Sequence, residues 1–431
     1  MVVYNDLHDC RVDQWTKAAD DWAKLAKDAH TAADDLRNQG RKPLDEHWTD
    51  AVGKQAAKRL TDIATRLEAG GDIIKGVTMV VDGLTSSMDL AQRTLNHAID
   101  LVNEYGLRIE SGRAVGTYTG NAPTGPDVPQ NVRDAYTKEC RQLDEVNGLI
   151  DEALRQATQA DEKASAELDK LATDIDVADP VKALNEVQNE ASHTQLDMLQ
   201  ADIPTGKDPH LVREWWDGLS PQEHKTLMLA EPVALANLNG IPDSVKQELR
   251  GTDGKLDRVK LVQYALDHWN TPDKEKFDNN CTNFVSSALE VAGMQPKSDF
   301  WTGYMGDDTW GHESGTGWDW LDQRAYYSKS WASAGHLQDF LLKHGAEDVP
   351  ASDVRPGDII FFEQDEPAEG RAPGTTHHAA VVTAVTPDGD IRYTQHTDSY
   401  QNVSLDGRMP HEIEAEGQQK IRIVRPKPDW Y

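Results

Sequence analysis

Three stretches of this chain carry residues that can do chemistry together. Cys281 lies in the run from Asp278 to Gly293, where Phe284, Val285, Ala288, Leu289 and Ala292 recur on one helical face. Asn279 or Asn280 can cap the start of that helix, and Gly293 can end it. The cysteine therefore falls in the first helical turn, where unpaired N–H groups and the positive end of the helix dipole favour a thiolate. Taken alone, a cysteine beside apolar helix positions is usually a small buried hydrophobe. The other two stretches change its meaning. His377 and His378 open the run Ala379 to Val385, which reads as a buried strand, and Pro387 to Asp390 makes a hairpin turn into Ile391 to Thr397. Gln395 and His396 end that second strand, so an imidazole and a polar orienting group meet at one end of a sheet where the cysteine helix can dock. A thiol, a base for its proton and a group that fixes the imidazole tautomer are what nucleophilic attack on an amide carbonyl requires.

The elements that must position these residues begin near Lys255, where aromatic, glycine and β-branched residues increase and the pattern becomes helix first, then strands. Leu256 to Trp269 reads as an amphipathic helix on Val259, Val262, Tyr264 and Leu266. A turn at Thr271-Pro272 leads to the Cys281 helix. The Trp- and Gly-rich stretch from Phe300 to Trp320 is too irregular for a regular element and suits a groove wall or lid. Ser330, Trp331, Leu337, Phe340 and Leu341 start a further helix that closes at Gly345. Arg355 to Asp358 is a turn into the short buried strand Ile359 to Phe362.

Upstream the chain is helical. Trp15, Ala18, Trp22, Leu25, Ala29, Ala32 and Leu36 form the seam of one amphipathic helix, ending at Gly40 and Pro43. The same spacing runs from Ala56 to Val102, as one very long helix or two in tandem, with Gly70 and Gly71 as the expected kink. Gly106 to Pro129 reads as a loop. Val132 to Ile175 carries another long stripe, and an elongated antiparallel bundle is the expected fold. Its histidines and acidic residues fall on solvated faces, where no chemistry is expected. From Pro204 to Gly251 the chain connects; Ser220, Pro221 and Glu223 form a helix start with a capping box, Gly240 to Pro242 punctuates its end, and Asp243 to Arg250 forms a short helix.

Length and composition bound the partners. A chain of 431 residues is long for one core. With 44 Lys and Arg against 74 Asp and Glu, its formal charge of −30 repels phosphate backbones and anionic surfaces, so nucleic acid is not an expected partner. No apolar run approaches the roughly 20 residues of a membrane span, and Met1 to Cys10 lacks the basic start and apolar centre of a signal peptide. Cys10, Cys140 and Cys281 are too few and too far apart for a disulfide framework or a CxxC metal site. No metal or cofactor is expected.

From Leu256 to Trp430 the chain resembles the bacterial amidase domain related to the NlpC-type and CHAP cysteine peptidases. The matching stretches are Tyr264-Ala265, Asn280 to Ser286, Ser328 to Ala332, Pro356 to Phe362, His378 to Thr383 and Tyr393 to Asp398, in that order. The resemblance implies a papain-like α+β fold with Cys281 as nucleophile and His378 as base, leaving His377 as a rim neighbour. The third member stays open. Ile391, Tyr393 and Gln395 share an inward face, which favours Gln395, whereas the family's His-Thr pair favours His396, and a bulge can reconcile the two. Asn280 stands where the family commonly has Asp. The resemblance also implies amide or peptide bonds of cell-wall peptidoglycan as substrate. The first half resembles the helical-hairpin domain of type VII-secreted proteins of Gram-positive bacteria, with Trp48, Asp50 and Gly53 near that family's Trp-x-Gly turn, here spaced Trp-x-x-x-x-Gly. That implies contact with secretion machinery and export without a Sec leader; retention in the cytoplasm is the alternative.

The sequence thus predicts a multidomain protein: an all-α elongated bundle over 1–203, a helical connector over 204–254, and a papain-like α+β domain with a small antiparallel sheet over 255–431. The expected function is a cysteine-dependent amide hydrolase. Two alternatives are a non-catalytic wall-binding or interaction protein and the amidase warhead of a secreted antibacterial toxin.

Overall fold

A computed structural model describes residues 1–118, 122–123, 125, 127–173, 177–178, 183–184, 187–271, 277, 279–313, 327–365, 371–397, 399–406 and 419–431. These divide into two compact units, Met1–Lys225 with Leu238–Pro242, and Thr226–Asn237 with Asp243–Tyr431. No helix among the described residues is long and apolar enough to cross a membrane. Ile175 and the positions from 314 to 320 lie outside the described residues.

The first unit holds helices α1 (Tyr4–His8), α2 (Val12–Asp35), α3 (Lys42–His47), α4 (Ala51–Tyr105), α5 (Gln130–Thr173), α6 (Ser192–Ala201) and α7 (Pro209–Asp217). The expected kink is absent. Helix α4 runs unbroken for 55 residues, about 80 Å at 1.5 Å per residue. Gly71 serves close approach instead: a Cβ there would stand 2.5 Å from the His30 ring of α2. Nor does the first long helix stop at Gly40 and Pro43. It passes through a wide turn of π-type hydrogen bonding at Leu36–Arg41 into α3, which carries Pro43 in its first turn, where a missing N–H costs nothing. Within the expected loop after Gly106 there is a small hairpin, β1 (Arg108–Glu110) with β2 (Arg113–Val115), turned by Ser111 and Gly112, both at positive φ.

Helices α8 (Pro221–Ala230), α9 (Pro232–Asn237) and α10 (Asp243–Arg250) follow. The capping box forms as its residue types dictate: Ser220 N–H donates to Glu223 Oε2 (2.6 Å) and Glu223 N–H to Ser220 Oγ (3.3 Å). Helix α8 nevertheless ends at Ala230, and α9 intervenes before Gly240.

The rest of the second unit packs α11 (Arg258–His268), α12 (Cys281–Val291), α13 (Lys329–Ala332) and α14 (Ala334–Lys343) on an antiparallel six-stranded sheet. Its strands are β3 (Glu347–Asp348), β4 (Ile359–Gln364), β5 (Thr376–Val385), β6 (Ile391–Gln395), β7 (Tyr400–Ser404) and β8 (Gln419–Arg425), in the order β3-β8-β4-β5-β6-β7. The helix expected from Ser330 to Gly345 is two, split at Ser333, whose backbone is extended. Alternation along the strands makes two cores. Ile359, Phe361, Ala379, Val381 and Val424 face Phe284, Val285, Ala288 and Leu289 of α12, while Ile360, Phe362, Ala380, Val382, Ile391 and Tyr393 fill the other side. Strand β8 is fixed beside β4 by Asp358, fully buried, which accepts Nε–H (2.8 Å) and Nη2–H (2.7 Å) from Arg425 and the Arg355 N–H (2.9 Å).

One buried carboxyl makes the helical unit sensitive to pH. Asp202 closes α6 out of reach of water, and burial, the largest effect, pushes its carboxyl up to about 8; the Ser87 hydroxyl and the Arg155 charge offset only part of this. Between pH 4 and 8 the unfolded chain is ionised here while the folded chain holds the proton, so stability is full in acid and falls as pH rises through this window. Thermal melts by circular dichroism should therefore show Asp202→Asn and wild type nearly equal near pH 4. The variant should be the more stable by an increasing margin toward pH 8, on the order of a few kcal/mol. A margin independent of pH would mean that Asp202 is already ionised in the fold.

Candidate active site

Helix α12 begins at Cys281 because the residues after it can be buried on nearly every side. Phe284, Val285, Ala288 and Leu289 enter the core, each large side chain contributing about 1.5–3 kcal/mol. Ser286 turns the opposite way, donating to the Trp331 carbonyl (3.1 Å) and accepting from Trp310 Nε1–H (3.3 Å). Gly293, at φ +102, ends the helix with Met294 N–H bonded back to the Leu289 carbonyl. Asn280 occupies the N-cap position, but its side chain does not cap the backbone as expected. Its Oδ1 accepts from Asn283 Nδ2 (3.0 Å), Asn283 Oδ1 in turn accepts from Trp331 Nε1–H (2.7 Å), and the Asn280 N–H donates to Thr397 Oγ1 (3.1 Å). The start of the cysteine helix is thus tied to the end of β6.

His378, near the start of β5, pairs with Phe362 across the β4 ladder and packs on its ring. Its Nε2 lies 2.9 Å from Gln395 Oε1. The direction of that bond follows from its neighbour: Gln395 Nε2 donates to the Thr397 carbonyl (2.9 Å), which leaves Oε1 as the acceptor and puts the imidazole proton on Nε2. The other ring nitrogen, Nδ1, is then the one able to take a proton from the thiol. Cys281, His378 and Gln395 are all buried, at most 4% exposed. Burial of the sulfur pushes the thiol pKa up. The His378 charge and hydrogen bond, with hydrogen bonds from Thr282 and the Ala379 N–H, outweigh it and hold the thiol below its usual value.

The two residues left open by the sequence are set apart. Gln395 continues the face of Ile391 and Tyr393 and meets His378. His396 points elsewhere: its Nε2–H donates to the Thr271 carbonyl (3.2 Å), its Nδ1 faces Asn280 Nδ2 at 3.5 Å, and its ring packs on Phe284. It holds the segment before the cysteine rather than the imidazole. The β6–β7 register does shift between Tyr393 and Gln395, yet this bulge does not bring His396 to His378. His377 Nε2 lies 2.6 Å from Gln419 Oε1, away from the thiol. Sequence reasoning missed Thr397, which receives the Asn280 N–H and orients Gln395, and the Ala379 N–H beneath the sulfur. The Gln-His-Thr order was the available signal for the first; a backbone donor leaves none.

Residues 255–423 match the family model described as "Putative amidase domain". The matched region, less than half of the chain, is similar to that family. The match covers the Cys281, His378 and Gln395 positions and all but the end of the six-stranded sheet. The chain is also similar to the "Uncharacterized protein YhbB" of Bacillus subtilis (strain 168), 32% identical over 169 residues, 36% of this chain and 49% of that protein. The chain thus spans about half the length of this curated relative. No solved structure matches the chain.

The thiol geometry gives a direct expectation. Alkylation of Cys281 by iodoacetamide in native protein should titrate below the ordinary thiol pKa of 9.0. Replacing His378 by Ala should move the midpoint upward and slow the reaction at neutral pH by roughly 10-fold or more, since one pKa unit is a factor of ten in thiolate. Identical profiles for the two proteins would mean that the histidine does not govern the thiol.

Proposed function

We propose that the amidase domain is a cysteine hydrolase of papain-like design in which Cys281 attacks the amide carbon, His378 carries the proton and Gln395 holds the imidazole. The observation that carries this reading is the bond from His378 Nε2–H to Gln395 Oε1, because it leaves Nδ1 for the thiol. His378 takes the thiol proton, sulfur bonds to the carbonyl carbon, and the tetrahedral oxyanion forms at the start of α12. The N–H groups of Cys281 and Thr282 suit that role, since first-turn residues have no carbonyl one turn back. His378 then protonates the departing amine. Water, activated by the same nitrogen, releases the acid from the thioester and restores the thiol.

Peptide and cross-link amides of bacterial cell-wall peptidoglycan are the proposed substrates, on the ground of the resemblance to NlpC-type and CHAP peptidases. The helical unit is proposed to meet secretion machinery, a reading supported by its long amphipathic helices and by the tight turn at Trp48, where a Cβ on Gly53 would overlap the Trp48 carbonyl at 1.9 Å.

Release of new amines from purified peptidoglycan tests the reaction. Cys281→Ala should abolish it. Gln395→Ala should lower kcat/KM by roughly 10–1,000-fold, within the range expected of a group that serves a general base. His396→Ala should act mainly on stability and retain most of kcat per folded molecule. Undiminished release by Cys281→Ala would remove the mechanism, and a larger kcat loss from His396→Ala than from Gln395→Ala would reverse the assignment of the third residue.

A further inference from the structure

The amidase site leaves unused a second group of polar side chains, inside the helical unit. His210 and Glu214 stand four apart on α7, hence on one face. Glu145 of α5 and His97 of α4 meet them there. His210 Nε2 is 3.9 Å from Glu145 Oε1, His210 Nδ1 is 4.0 Å from Glu214 Oε1, and His97 Nε2 is 3.8 Å from Glu214 Oε2. Glu145, His210 and Glu214 each offer one ligand atom, and these atoms lie within 4.8 Å of one another.

The distances are the informative part. All three pairs are too long for hydrogen bonds. Two donor atoms bound at about 2.0–2.2 Å to one tetrahedral ion stand about 3.3–3.6 Å apart, so side-chain movements of about 1 Å, with His210 offering one ring nitrogen, would bring Glu145, His210 and Glu214, whose ligand atoms lie within 4.8 Å of one another, onto a shared cation. Among the described residues no lysine or arginine pairs with either carboxylate. Two glutamates therefore face two histidines and no basic side chain. His97 Nε2 is buried and has no hydrogen-bond partner.

The surroundings hold the group in place. The Tyr105 hydroxyl donates to both Glu145 oxygens, at 3.3 and 3.4 Å, the kind of outer contact that orients a ligating carboxylate. Gly218, just past α7, leaves room for the imidazole: a Cβ there would stand 2.8 Å from two ring carbons of His97. His210, 68% exposed, leaves the group open to solvent and to an entering ion.

We propose that Glu145, His210 and Glu214 bind a divalent transition ion of the zinc class, clasping α7 to α5. An imidazole with two carboxylates suits zinc and its neighbours, whereas calcium and magnesium favour all-oxygen shells. The ion would act as a fastener in the helical unit, remote in role from the amidase chemistry.

Equilibrium dialysis of the full chain against Zn2+ alone, in a Cys281→Ser background that removes the active thiol, tests this. One zinc per chain should be retained at micromolar free metal, and Zn2+ should raise the melting temperature of the helical signal. Glu214→Gln should weaken binding by 100-fold or more, and Tyr105→Phe by roughly 10-fold as an outer contact. Should Glu214→Gln fail to fold, His210→Ala at its exposed position carries the same test, with the same expected loss. Absence of stoichiometric zinc at micromolar metal, or binding unchanged in Glu214→Gln or His210→Ala, would overturn the proposal.

Discussion

The docking of the start of α12 onto the ends of β5 and β6 is the constraint on which the amidase domain depends. A thiol in the first helical turn is of little use without a base, and an imidazole on a strand end has no fixed tautomer until a partner sets it. His378 of β5 supplies the imidazole, and one short stretch of β6 with the residues after it fixes the tautomer and ties down the cysteine helix. Gln395 selects the tautomer of His378, Thr397 fixes the amide of Gln395 and also receives the N–H of Asn280, and His396 holds Asn280 from the other side. Cys281, His378 and Gln395 are thus referenced to one another through three consecutive side chains. The aliphatic core beneath, with Asp358 and Arg425 locking β4 to β8, supplies the rigidity that keeps that geometry.

The competition between burial and charge at Cys281 explains why the site needs this closeness. Removing the sulfur from water favours the thiol, and the His378 charge with hydrogen bonds from His378, Thr282 and the Ala379 N–H reverses the preference. At Asp202 the same competition runs the other way. The Ser87 hydroxyl and the Arg155 charge do not match the cost of burial, and the carboxyl keeps its proton. One physical rule lowers the thiol pKa in the first case and raises the carboxyl pKa in the second, and the compensating partners decide which.

Much of this was legible in the sequence where local pattern and tertiary demand agree. The α12 stripe, the capping box at Ser220 and Glu223 and the alternating strand at His378 announce themselves because each is stabilised by residues close in the chain. Strand β8 was not legible: seven residues with alternating charge gain their strand identity from β4 and from the Asp358–Arg425 pair, some seventy positions away. The choice between Gln395 and His396 was only half legible: alternation favoured Gln395, but both faces of β6 are buried, so it could not exclude His396. Gly71 misled because close packing against His30 and a kink call for the same residue. The Glu145, His210 and Glu214 group lies on two helices distant in the chain, and its members individually resemble the solvated polar positions around them.

The central claim is that the thiol of Cys281 is the group that attacks the amide. It is tested most directly by titrating activity against modification in one preparation: iodoacetamide is added in sub-stoichiometric steps, carboxamidomethyl-Cys281 is quantified by mass spectrometry, and amide hydrolysis is measured on the same samples. The account predicts that activity falls in direct proportion to modified Cys281 and reaches zero at one equivalent. Hydrolysis that persists when Cys281 is fully modified would contradict it.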